Sequence, residues 1–118
     1  MLAAFRIAVV LAALATTPAL AECFVRGIDD LPLMDGLAEV QGAGTVFDSA
    51  SGRIVETFAA GPVDAAAVAA FYAETLPQLG WRAEGPGAYV REDEHLTITT
   101  TEDGAGLTVR FSLTPETE

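Results

Sequence analysis

The chain has 118 residues and a net charge of −11, from six arginines, no lysine and seventeen acids. That length holds one small domain, and the lack of any internal repeat excludes solenoids and propellers. So much negative charge repels phosphate, which argues against nucleic acid and anionic membrane surfaces as partners.

The first twenty-one residues, MLAAFRIAVVLAALATTPALA, hold one arginine, Arg6, then an apolar run from Ile7 to Ala15, and end on the triplet Ala19-Leu20-Ala21. That order predicts a secretory signal peptide over 1–21, cleaved after Ala21, and a periplasmic or secreted product. The run is too short for a membrane anchor, which needs about 18 to 20 unbroken apolar residues, so no membrane insertion is expected after cleavage. The remaining 97 residues keep five arginines and all seventeen acids, at a net charge of −12. Cys23 is the single cysteine and cannot staple the fold. Glu22 stands where a lipoprotein would carry a small residue before an acylated cysteine. A free thiol on a monomer is therefore expected, with a Cys23-linked dimer as the alternative.

Residues 22–44 are punctuated by Gly27, Pro32, Gly36, Gly42 and Gly44, and no period of 2 or 3.6 survives. An irregular arm is predicted that lays Leu33, Met34 and Leu37 on the domain. Residues 45–114 form the domain itself. Thr45–Asp48 and Arg53–Ala59 are rich in β-branched and aromatic residues around Ser49-Ala50-Ser51-Gly52, a hairpin pattern ended by Gly61-Pro62.

A helix follows. Asp64 suits the N-cap, with Val63 and Val68 as a hydrophobic staple. Large apolar residues recur at Val68, Phe71, Tyr72, Leu76 and Leu79 among alanines. Pro77 should loosen the last turn before Gly80 closes it. Trp81–Glu84 and Ala88–Arg91 are short strands around Gly85-Pro86-Gly87. In His95–Thr101 and Leu107–Leu113, Leu96, Ile98, Leu107, Val109, Phe111 and Leu113 alternate with polar residues, the mark of a sheet packed on one side. Glu102-Asp103-Gly104 supplies the turn, and 115–118 form a frayed tail.

The predicted fold class is α+β, two layers, one amphipathic helix on an antiparallel sheet in the order β-β-α-β-β-β-β. Val68, Phe71, Tyr72 and Leu76 should meet Leu96, Ile98, Val109 and Phe111, with Trp81 at the rim. The run from Phe71 to Trp81 resembles the FY-x3-LP-x2-GW helix end of a group of small exported proteins from high-GC Gram-negative bacteria. Asp48 with Gly52-Arg53-Ile54-Val55 resembles the hairpin that precedes it in that group. The likeness spans about 31–113. It implies an exported domain of this extent, with Phe71, Tyr72, Gly80 and Trp81 as a structural junction, and carries over no catalytic residue.

Chemistry is sparse. His95 is the single histidine, follows Glu92-Asp93-Glu94, and falls on the solvent side of its strand. A transition-metal site would bring further His or Cys at ligand spacing. The acids do not repeat a calcium-loop spacing, and no G-x-S-x-G element supports a hydrolase. No catalytic residue, metal ligand or cofactor is therefore assigned. The polar face of His95, Thr97, Thr99, Thr101, Thr108, Arg110 and Ser112 is the candidate interaction surface, with an unpaired edge strand as another. The sequence reading is an exported, non-enzymatic domain that binds another envelope protein. The alternative is a small-ligand or metal-binding module using the helix-to-sheet opening near Trp81 and Tyr89 or the acidic turn at 92–94, and a hydrolase centred on His95 ranks third.

Overall fold

The computed structural model describes residues 24–28, 30–104 and 106–115. Residues 1–21, read from sequence as a signal peptide, together with Glu22, Cys23 and residues 116–118 lie outside the described residues. A two-residue strand, β1 (Ala38–Glu39), precedes the elements expected from sequence: β2 (Thr45–Ser49), β3 (Gly52–Gly61), α1 (Ala65–Thr75), β4 (Arg82–Gly85), β5 (Ala88–Arg91), β6 (Glu94–Asp103) and β7 (Gly106–Pro115). One helix packs on one antiparallel sheet, an α+β fold.

All strands join one sheet in the order β1-β3-β7-β6-β5-β4, and β2 shares with β1 the remaining edge of β3. The β2–β3 hairpin therefore sits at one side. α1 then crosses the sheet to its far edge, and β4 to β7 return as a meander until β7 closes against β3.

Register sorts the faces. Val55, Leu113, Leu96, Tyr89 and Ala83 form one row across five strands, and Thr57, Phe111 and Ile98 form the next. Alternation directs both rows to the helix side, where Val55, Leu96, Phe111 and Leu113 are buried with Val109 and Leu107. The strands run longer than expected, because pairing decides where they end. β6 continues through Glu102 and Asp103, which stands opposite Gly106, and Pro115, expected in the tail, lies opposite Glu94.

In α1, Val68 and Tyr72 are buried, as is Leu76 in the 3-10 turn Leu76–Leu79 that follows. Pro77 lies in that turn, and Gly80 adopts the left-handed conformation (φ 91°) while the Trp81 amide donates to the Leu76 carbonyl at 3.0 Å. This is the stop that Pro77 and Gly80 predict. One expectation needs correction: Asp64 stands at the N-cap with extended backbone, but its carboxylate bonds no helix amide. The outward face is mostly alanine, as the sequence pattern indicates, since Ala66, Ala67, Ala70 and Ala73 are exposed, so the amphipathic contrast is between large and small apolar residues.

The arm enters the core more deeply than expected. Leu37 is buried, Leu33 and Met34 are half-buried, and Val25, Ile28 and Leu31 are buried too. Backbone bonds within the arm (Val25 N–H to Leu31 O, 2.8 Å; Leu31 N–H to Ile28 O, 3.1 Å) satisfy its polar groups at the core. The Tyr72 hydroxyl fastens arm to helix, donating to the Pro32 carbonyl at 2.8 Å and accepting from the Met34 amide at 3.2 Å. Burial pushes this hydroxyl up to about 12, so it stays a donor at neutral pH.

Trp81 is buried, not at the rim. Arg91 covers it, its guanidinium 4.3 Å from the ring centroid. The same guanidinium donates to both Asp30 oxygens at 2.6 and 3.2 Å and to the Leu79 carbonyl at 3.0 Å. It thus joins arm, helix end and sheet. The hydrogen bond from Arg91, reinforced by its charge, holds the Asp30 carboxyl below the usual carboxylate range. A depressed folded-state pKa contributes stability that is present above the unfolded value and is lost as pH falls through the folded one. Asp30→Asn is therefore expected to match the parent more closely at pH 3 than at pH 7 in urea unfolding. Arg91→Ala, which also uncovers Trp81, is expected to cost about 2 kcal/mol at pH 7. Equal losses for Asp30→Asn at both pH values would contradict this linkage.

Candidate functional site: an apolar cleft beside the helix

Successive residues on a helix advance by 100°. With Val68, Tyr72 and Leu76 directed at the sheet, Phe71 and Thr75 fall on one flank and Ala69 and Ala73 on the other. The arm meets the helix at the Tyr72 hydroxyl, approaches Val63 just before α1 through Gly36, and meets Arg91 on β5 through Asp30. Nothing in the described residues fills the second flank. There, Ala69 and Ala73 face the β4–β6 side of the sheet across a cleft of about 490 Å³, open to solvent.

Small residues create this gap. Ala65, Ala69 and Ala73 on the helix side face Ala83, Gly85 and Gly87 on the strand side, and none reaches beyond a Cβ. Tyr89, Ile98 and Thr100 lie between them. The strand-side wall is held in place by backbone geometry. Gly87 has φ 71°, its carbonyl accepts from the Ile98 amide at 2.8 Å, and a Cβ on it would stand 2.5 Å from the Ile98 carbonyl oxygen. Gly87 is thus required where the β4–β5 turn touches β6.

The cleft is lined mainly by carbon, and no acidic or basic side chain lines it. Its ionisable groups are the two tyrosines. Tyr72 has both hydroxyl bonds committed to the arm, while burial raises Tyr89 above the ordinary tyrosine value, so both are neutral at physiological pH. A volume of this size falls within the range of about 300 to 1,000 Å³ typical of small-molecule sites, which pair apolar walls with a few polar groups.

Most residues of the interaction face singled out in the sequence lie elsewhere, although Thr99 lines the cleft. Register places Thr97 beside Ser112, Thr99 beside Arg110 and Thr101 beside Thr108, so His95, Thr97, Thr99, Thr108 and Arg110 do form one patch on the sheet face away from the helix. Arg110 is ion-paired to Glu56 on β3, and the His95 Nδ1 lies 3.7 Å from a Glu84 carboxylate oxygen on β4. Of these residues Thr99 also lines the cleft, whereas His95, Thr97, Thr108 and Arg110 do not. Among the described residues no group of three or more His, Cys, Asp or Glu could hold a metal ion, and no helix is long and apolar enough to cross a membrane. Tyr89, named from sequence beside the helix-to-sheet opening, lines the cleft; Trp81, named with it, does not. The alanines at 65, 69 and 73 were the missed signal: their i, i+4 spacing puts three truncated side chains in one row.

No protein-family model, no curated protein and no solved structure matches the chain.

Proposed function

We propose that this protein is an exported, non-catalytic binding domain of the cell envelope, and that its ligand seats an apolar moiety in the cleft between α1 and strands β4–β6. The observation that carries the reading is the cleft itself: about 490 Å³ bounded by alanine, glycine and tyrosine, without an ionised side chain in its lining. Leaving such a concavity wet costs hydrophobic stabilisation, which a single larger side chain at Ala69 or Ala73 would recover. The reading draws export from the residue order of 1–21 and the lack of bond-making chemistry from a sequence with one histidine and no G-x-S-x-G element. The outer threonine patch is a weaker candidate, because its arginine is already neutralised by Glu56.

The test uses the purified protein and an uncharged fluorescent probe, N-phenyl-1-naphthylamine. Saturable one-to-one binding is expected. Ala69→Phe, which fills the cleft from an exposed helix position, should weaken it by about tenfold or more, the effect of losing roughly 1.4 kcal/mol of apolar contact. Ala70→Phe, on the outer face of α1, should leave it unchanged. Equal binding by both variants would remove the cleft from consideration. N-terminal sequencing of protein recovered from the periplasm should begin at Glu22.

A further inference from the structure

We infer that the ligand is a cationic amphiphile, an apolar chain or ring carrying an ammonium-type head group, and that carboxylate and phosphate amphiphiles are excluded. This rests on the reading of the cleft as the binding site and adds the charge of what enters it.

The inference follows from where the charges stand. A buried anion needs a countercharge or several donors, and the arginines are engaged elsewhere. Arg26 pairs with Glu39, Arg53 with Glu94, Arg91 with Asp30 and Arg110 with Glu56. Arg82 neighbours Ala83 on β4, and strand alternation directs it to the opposite face from that cleft-lining residue.

The mouth carries the other sign. Glu102 follows Thr100 by two residues on β6, hence on the same face, and is exposed. Asp64 directly precedes the cleft-lining Ala65, and its carboxylate is not spent on the helix amides. It also offsets the positive end of the helix dipole, the remaining feature that would favour an anion here. An apolar body within the cleft and a positive group at its mouth would therefore be complementary to both parts of the site. The overall charge of −12 on residues 22–118 adds attraction at longer range, screened over about 10 Å at 0.1 M salt.

The test is calorimetric titration of the protein with three twelve-carbon compounds below their micelle concentrations: dodecyltrimethylammonium, dodecyl maltoside and dodecanoate. At low salt the cation should bind at least about tenfold more tightly than the carboxylate, with the neutral compound between them, and the gap should narrow as salt is raised. Glu102→Gln combined with Asp64→Asn should narrow it too while leaving the neutral compound unaffected. Because any acidic protein attracts a cationic detergent, Ala69→Phe must abolish the binding of the cation. Persistence in that variant would mean surface attraction and would overturn the inference. Dodecanoate binding as tightly as the cation would also overturn it while leaving the cleft as the site. Failure of all three compounds to bind would refute the cleft reading itself, and the inference with it.

Discussion

Gly61→Ala is expected to destabilise the protein by about 3 kcal/mol or more, a large share of the roughly 5 to 15 kcal/mol that holds a domain together. A Cβ at this position would stand 1.9 Å from the Gly36 carbonyl oxygen, 2.9 Å from its carbonyl carbon and 3.2 Å from the Leu37 Cα. All three are backbone atoms, so no side chain can rotate away. The constraint is one of space. At Gly61 the arm lies directly on the last residue of β3, and on the neighbouring strand Gly106 makes a similar approach, where a Cβ would lie 2.8 Å from the Gly61 carbonyl oxygen. A methyl group there must either lift the arm, pulling Leu37 out of the core, or break the end of the β3–β7 ladder. Gly104→Ala is the control: nothing lies within 4 Å of its Cβ, and a change within about 0.5 kcal/mol is expected. Urea unfolding of the two variants checks both numbers, and a Gly61→Ala midpoint close to that of the parent would mean the arm does not dock in this way.

Residues such as Gly61 mark the limit of what could be read without coordinates. The helix and the last two strands were legible because each displays a period: Val68, Tyr72 and Leu76 at steps of four, and Leu107, Val109, Phe111 and Leu113 at steps of two; the hairpin was legible from its β-branched composition around a turn. Each period is imposed by one buried face; Val68, Tyr72 and Leu76 were assigned to it correctly, whereas Phe71, expected on the same stripe, is half-buried at the flank. The helix stop was legible for a different reason, since Pro77 and Gly80 act through local backbone geometry alone. The arm offers neither kind of information. Val25, Ile28 and Leu31 are buried by irregular backbone that bonds to itself, and such a segment has no repeat to betray which residues turn inward. Gly61 was read as a strand ender, whereas its lack of a side chain admits the arm.

The cleft was partly legible. Tyr89 was placed at an opening between helix and sheet, and it is there. The rest of the site consists of atoms that are missing. Alanines at 65, 69 and 73 read as helix formers, and Gly85-Pro86-Gly87 reads as a turn. Both readings hold locally, yet what makes a cleft is that the two small-residue rows face each other across the sheet. That juxtaposition depends on α1 carrying the chain from β3 at one side to β4 at the other. By contrast, strand alternation alone groups His95, Thr97, Thr108 and Arg110 on one face of the sheet. What alternation cannot reveal is the partner on the neighbouring strand, Glu56, that neutralises Arg110.

Leu31→Ala is expected to cost about 2 to 5 kcal/mol, because Leu31 is fully buried and truncation leaves a cavity between arm and core. Ile28→Val, one methylene smaller at a neighbouring buried site, should cost about 1 kcal/mol. The same substitutions should leave the affinity of the folded protein for an apolar probe unchanged. None of Val25, Ile28 and Leu31 lines the cleft, which lies on the flank of α1 that carries Ala69 and Ala73. Tyr72 is the one contact common to arm and cleft, since its hydroxyl anchors Pro32 and Met34 while the residue also lines the cleft. Tyr72→Phe should therefore lower stability by about 1 to 3 kcal/mol through the unpaired Pro32 carbonyl and Met34 amide, yet keep the ring that faces the ligand. Chemical unfolding measured alongside probe titration separates the two effects. A Leu31→Ala protein that is as stable as the parent would mean the arm contributes little to the core. One that folds but no longer binds the probe would mean arm and cleft are coupled through the helix.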